Sequence, residues 1–233
     1  MAGEDNWHFD RDTRFSLKRD RLLRAAAECF NRKGYSGTSL KDVAQRLGLT
    51  DAALYYYVRS KEELVYRCYL RAAQVGAEAM ARGREEGGSG LDKALRYLGH
   101  HIDAMCGDEG PMAIMSEIPS LSESHKADIL MRSREHSLDF EALLAEGIED
   151  GSIAACDVRM TGNAVMGAIN WIPKWYRPDG SAHRDQIRSQ FIDFFRRGLA
   201  PPDPSLAAGT APVEDIAGPG ADRVAGRSSA AGS

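Results

Sequence analysis

The first 110 residues contain no proline. Every residue there keeps the N–H that an i→i−4 bond requires, so nothing in the backbone obstructs long helices. Valine, isoleucine and threonine together supply only 24 of the 233 residues, too few for an extensive sheet, while alanine, leucine, arginine and glutamate predominate. An all-α protein is therefore expected.

Apolar spacing places the elements. Leu22, Leu23, Ala26 and Phe30 form one stripe on a helix that is expected to run from a Ser16 cap to Gly34. Thr38 or Ser39 caps a short second helix with Leu40, Val43, Ala44 and Leu47 inward, Gly48 ends it, and Thr50 caps a third beginning at Asp51. Two short helices around a glycine-containing turn have the outline of a helix-turn-helix.

Charge singles out the same region. Residues 11–61 carry twelve basic side chains against five acidic ones, although the whole chain has a net charge of -4. Such asymmetry points to a polyanion partner for the first part of the chain, or to an ordinary solvated helix face.

The residue types settle more than the spacing does. Phe30, Gly34-Tyr35, Thr38-Ser39, Val43-Ala44, Gly48-Leu49-Thr50, Leu54-Tyr55 and Lys61-Glu62-Glu63-Leu64 occur in order within Arg21–Leu64. This stretch resembles the DNA-binding domain of TetR-family transcriptional regulators. Val58 departs from the pattern, standing where the family usually has an aromatic residue, and bears on packing alone. The resemblance implies an N-terminal three-helix helix-turn-helix DNA-binding domain followed by a larger helical ligand-binding and dimerisation domain. The expected organisation is a flexible arm at 1–15, the DNA-binding domain at 16–62, the larger domain at 63–199 and a disordered tail at 200–233. That tail holds five of the nine prolines, nine alanines and no aromatic residue.

A recognition helix offers small or polar groups from its first turn to base edges. Thr50, Asp51, Ala52 and Ala53 occupy that turn, with the alanines suited to a thymine methyl and Asp51 to either a cytosine amino group or the helix terminus. The resemblance implies phosphate contacts from Tyr55 and Tyr56, with Tyr57 the candidate to pack inward. Lys61 and Thr38, each at a helix start, suit phosphate as well, and Ser39 shares the second position. Arg46 fits a phosphate, a guanine or a surface salt bridge. Arg14, Lys18 and Arg19 lie before or at the opening of the first helix. One such module touches few base pairs, so a homodimer on a pseudo-palindromic double-stranded operator is expected.

Beyond residue 61, a fourth helix is expected to about Arg84, a Gly87-Gly88-Ser89-Gly90 linker, a helix through Leu91–Met105, and another over about Ser124–Asp150. A helix from Asp157 to about Tyr176 carries Val158, Val165 and Ile172 at seven-residue spacing beside Gly162 and Ile169, and its companion over about Ala182–Leu199 carries Phe191, Phe194 and Phe195. In the resembled family the last two helices form the dimer interface; a purely internal core is the alternative. Asn170–Gly180, NWIPKWYRPDG, is similar to a segment of members that govern lipid or acyl-CoA catabolism, through packing and turn chemistry or through ligand contacts. A pocket for a small, largely apolar effector is expected from Met105, Met112, Met115, Phe140, Met166 and Trp171, with His101 and Asn170 as polar groups. The same methionine row serves equally as core.

Other classes are weakened. The chain has no GxSxG, HExxH or GxxxxGK motif, so an α-helical enzyme or a partner-binding protein using the C-terminal cavity stands as the alternative. No metal or cofactor is expected: Cys29, Cys68, Cys106 and Cys156 form no CxxC pair and read as buried thiols, while adjacent His100 and His101 point ~100° apart. No run approaches the ~20 apolar residues of a membrane span, and the N-terminus lacks a signal-peptide stretch, so a cytoplasmic protein is expected.

Overall fold

The computed structural model describes residues 5–106, 121–177 and 179–202, with side chains of the first helix described from Lys18 onward. The elements are helices α1 (Asp5–Gly37), α2 (Leu40–Arg46), α3 (Asp51–Tyr55), α4 (Lys61–Glu85), α5 (Gly90–Met105), α6 (Glu123–Glu149), α7 (Val158–Asn170), α8 (Ile172–Trp175) and α9 (Arg184–Leu199). No strand occurs among the described residues, so the all-α expectation holds. Met112, Met115 and the tail from residue 203 onward lie outside the described residues.

Two boundaries differ from the sequence reading. Helix α1 begins at Asp5 rather than at Ser16, and an arm at 1–15 is replaced by helix from Asp5 onward. No glycine or proline falls between Asp5 and Lys33, and an interior serine weakens a helix only slightly. Gly34 does interrupt it, at φ 71°. The single helix expected over Asp157–Tyr176 is two, α7 and α8, separated at Trp171. Pro173 is the cause, because it has no N–H to donate to the carbonyl four residues back.

The apolar side chains gather in two cores. Leu22, Leu23, Ala26, Phe30, Val43, Ala44, Leu54, Val58, Leu64, Val65 and Cys68 form the first, which α6 completes with Ile129, together with Leu121 just before it. Tyr97, Leu98, Ile102, Phe140, Leu143, Leu144, Val165, Ile169, Ile172, Ile187 and Phe195 anchor the second. Val58 is fully buried in the first core, which explains why a branched aliphatic serves there. Helix α6, about 40 Å long at 1.5 Å per residue, reaches both cores.

Cys68 and Cys106 are buried, as expected, and burial raises both thiols, that of Cys106 to about 12. Cys156 is exposed, contrary to the expectation, because it lies in the turn before α7.

Candidate functional site

The reading head is assembled by local caps. Ser39 Oγ accepts from Asp42 N–H at 3.1 Å while the Asp42 carboxylate accepts from Ser39 N–H at 2.8 Å, a reciprocal capping box that starts α2. The ammonium of Lys33, 2.6 Å from Asp42, and the Ser39 bonds hold that carboxyl far below the usual range. Gly48 turns the chain at φ 66°, and Leu49 N–H returns to Ala44 O at 2.9 Å. Thr50 Oγ1 then accepts from Ala53 N–H at 3.2 Å and starts α3.

Leu54 points into the core, and this orients the rest of α3. Asp51 and Ala52 are exposed beside Thr50, Ala53 is half-exposed, and Tyr55 and Tyr56 stand 57% and 80% exposed. Tyr57 is half-buried against the core, as expected, and meets Tyr56 edge-on at 5.4 Å. Ser39, Thr50, Asp51, Ala52, Tyr55 and Tyr56 thus remain accessible. A cleft of about 470 Å³ runs between Gly37, Ser39, Lys41, Asp51, Tyr55 and Lys61.

Three assigned residues are engaged internally instead. Thr38 is buried, with its hydroxyl within reach of Cys29 O at 3.1 Å and Gly34 O at 2.8 Å, so its side chain tightens the α1–α2 turn rather than facing a phosphate. Lys61 donates to Tyr35 O and Thr38 O, both at 2.9 Å, and lies 4.1 Å from the Tyr35 ring centroid, so it fastens α4 to that turn. Arg46 pairs with Glu28 at 2.9 Å, the salt bridge among its alternatives.

A polar clasp joins this head to α6, and the sequence reading missed it. Glu62 Oε1 accepts from Ser122 N–H at 3.0 Å and lies 2.7 Å from His125 Nδ1; these partners hold its carboxyl below the usual range. Tyr66 stacks on His125 at 3.8 Å and donates to Asp128 at 2.8 Å. Partners some sixty residues apart carry no local signal.

The second core encloses a cluster containing four of the assigned effector residues. His101 and Phe140 are buried and Met166 and Asn170 half-buried. Tyr97 and His136, not singled out from the sequence, join them. Tyr97 Oη lies 2.6 Å from His136 Nε2 and 3.4 Å from Met166 Sδ, and its ring centroid is 5.6 Å from that of His101 and 5.4 Å from that of Phe140. Burial, then the neighbouring His136, lowers His101 to about 4, against a hydrogen bond to Asn170 that raises it; burial lowers His136 as well. The i, i+4 spacing of Tyr97 with His101 and of His136 with Phe140 was the available signal. Met105 packs in the core, and Trp171 is 61% exposed, so neither of their side chains joins the polar cluster; Trp171 ends α7 where the helix breaks.

The residues expected at a dimer interface mostly face inward. Val165, Ile169, Ile172 and Phe195 are buried in the chain's own core, Gly162 packs on Phe140 and Leu144, and Val158 and Phe191 border the same core. Seven-residue spacing marks one face of a helix without saying what covers it. The open face of α7–α9 instead presents Met160, Ala164, Gly167, Ala168, Trp171, Trp175 and Phe194, of which only Phe194 was assigned.

Among the described residues no group of three metal-ligating side chains converges. No helix there is long and apolar enough to cross a membrane.

Comparison with known proteins agrees with this architecture. Residues 22–68 match the family of bacterial regulatory proteins, tetR family, and residues 87–199 match the tetracyclin repressor-like C-terminal domain. The chain is 32% identical to the TetR family transcriptional regulator PfmR from Thermus thermophilus, covering 78% of this chain and all of that one, with a TM-score of 0.66. It is 27% identical to the HTH-type transcriptional repressor KstR2 of Rhodococcus jostii, over 80% of this chain and 93% of the relative. AibR in complex with isovaleryl coenzyme A and operator DNA has a similar fold, at 23% identity and a TM-score of 0.63, over 78% of this chain and 97% of that one. With its helix-turn-helix head and helical C-terminal half both matched, the chain belongs to the TetR family of DNA-binding transcriptional regulators, and not to an enzyme family.

Proposed function

We propose that this chain is a repressor that binds a pseudo-palindromic operator as a homodimer and is released by a small, largely apolar effector of the acyl-CoA class. The exposed first turn of α3, with Thr50, Asp51, Ala52 and Ala53 presented beside Tyr55 and Tyr56, carries the reading, because that face has the size and chemistry to meet base edges and phosphates. Ser39 flanks it. Lys61 and Thr38 act through the turn they brace, and Lys61 keeps its third ammonium proton for a phosphate. A second copy covers Met160, Trp171, Trp175 and Phe194 on the open face of α7–α9, so that two heads read two half-sites.

The effector enters among His101, Met105, Phe140, Met166 and Asn170, where apolar walls surround few polar atoms. That the similarly folded AibR has been solved in complex with isovaleryl coenzyme A supports an acyl thioester as the class of effector. Helix α6 carries both His136 of this cluster and His125 of the clasp, so effector-bound and DNA-bound conformations are coupled through one rod.

Selection from a random DNA pool at near-physiological salt is the test. One inverted repeat is expected to be enriched, and acyl-CoA compounds are expected to release it. No enrichment by folded, ligand-free protein would sink the proposal.

A further inference from the structure

The basic excess of the head is not all available to DNA. Lys33 pairs with Asp42 at 2.6 Å, Arg46 with Glu28 at 2.9 Å and Arg67 with Glu63 at 2.7 Å. A cation already held by a carboxylate brings no net charge to a polyanion. Lys41 and Lys61 differ from these. Lys61 is bonded to the carbonyls of Tyr35 and Thr38, which leave its charge in place. Lys41, on α2, is exposed and has neither an ion pair nor a hydrogen bond among the described residues.

Both ammonium groups line the cleft of about 470 Å³ where α2, α3 and the start of α4 meet, and the other charged groups of its walls are Asp42 and Asp51. Lys33 neutralises Asp42, so the two ammonium groups face Asp51 alone, an excess of one positive charge. A phosphodiester carries a single negative charge and would bring the cleft to neutrality. Tyr55, also on the wall, is 57% exposed, and its hydroxyl is unbonded among the described residues, so it can donate to the same phosphate oxygens.

We infer that Lys41, which sequence reasoning passed over, is a DNA-contacting residue: its ammonium and that of Lys61 clamp one backbone phosphate in this cleft while the first turn of α3 reads the bases. Lys41 then fixes the register of α3 on the duplex and not the preferred sequence. The inference rests on the DNA-reading face proposed above.

Titrations of the full-length protein on its selected operator and on an unrelated duplex test it. Lys41→Gln is expected to weaken binding to both, by about fivefold for each head bound. The slope of log affinity against log salt should fall by about 0.9 for each head, with the urea midpoint unchanged. Lys41→Arg should keep the slope. In an operator series with a neutral methylphosphonate at one phosphate position after another in both half-sites, one position should weaken the unaltered protein and weaken Lys41→Gln far less. An unchanged salt slope in Lys41→Gln, the lack of any such position, or a change in the preferred base pair overturns the inference, the last by making Lys41 a reader of a base. Absence of any DNA binding removes the reading of the head as well, an outcome distinct from firm binding with an unchanged slope.

Discussion

The DNA-reading head and the effector half are built on opposite scales of sequence separation. In the head, Ser39 with Asp42, Thr50 with Ala53 and Ser60 with Glu63 are bonded three residues apart, so a few consecutive side chains define where each helix starts. In the effector half, Tyr97 meets His136 and Met166, at separations of 39 and 69 residues. A head of the first kind keeps its geometry through local chemistry. A cluster of the second kind exists only when three helices, α5, α6 and α7, are packed, which suits a site that must respond to what enters it.

The largest expected effect tests that dependence. Phe140 is fully buried where the cluster meets the core, and Phe140→Ala should cost about 3–5 kcal/mol of unfolding free energy in urea titration. Ile129→Ala should cost about 2–5 kcal/mol, although Ile129 belongs to the head's core and lies far from the head in sequence. Both variants should unfold in one transition, because α6 serves both cores. Two separated transitions would break the comparison into independent domains.

Acid should act on the effector half next. His101 has a folded pKa near 4, below its ordinary 6.5, so the unfolded chain takes up the proton first. The stability that goes with the neutral buried ring is fully present above about pH 6.5 and is lost as pH falls toward 4, at up to about 1.4 kcal/mol per pH unit. Replacing His101 by phenylalanine should flatten the pH dependence of urea midpoints in that window. An unchanged slope would show that the ring is not held neutral.

These contrasts also explain what was legible in the sequence. The caps at Ser39 and Thr50, the turn at Gly48 and the inward Leu54 follow from residue types at fixed offsets, and the family resemblance rests on the same positions. The internal bonds of Thr38 and Lys61 were not legible because their partners are carbonyls of the turn before α2, and a backbone carbonyl leaves no mark on residue type. Inward and outward rows of α7 carry similar small and apolar residues, so Val165 and Ile169 were assigned to the face that Met160 and Trp171 occupy. His101, Phe140, Met166 and Asn170 were chosen by character and do converge; Tyr97 and His136 needed the packing.

Within the head, contact and support should separate. Tyr55→Ala is expected to weaken binding to all sequences alike by about 1.5–3 kcal/mol, the range for a hydrogen bond to a charged group, with unfolding midpoints unchanged because the ring is largely exposed. Thr50→Ala should cost about 1 kcal/mol of stability through the lost cap, and should weaken DNA binding through the same turn. Band-shift titrations on the selected operator, set beside urea midpoints, distinguish the two.

The smallest effect is the most discriminating for the charge of the head. Arg46 lies on α2 with its guanidinium against the Glu28 carboxylate, at 2.9 and 3.1 Å through two nitrogens. Exposed pairs of this kind contribute about 0.2–1 kcal/mol, so Arg46→Ala should barely move the unfolding midpoint. A guanidinium held by a carboxylate does not release counterions from DNA, so the slope of log affinity against log salt should also stay unchanged. If the slope fell by about one unit, Arg46 would be leaving Glu28 for a phosphate on binding. The basic excess of residues 11–61 would then be partly a reserve uncovered by DNA, and the head would be less rigid than its caps imply.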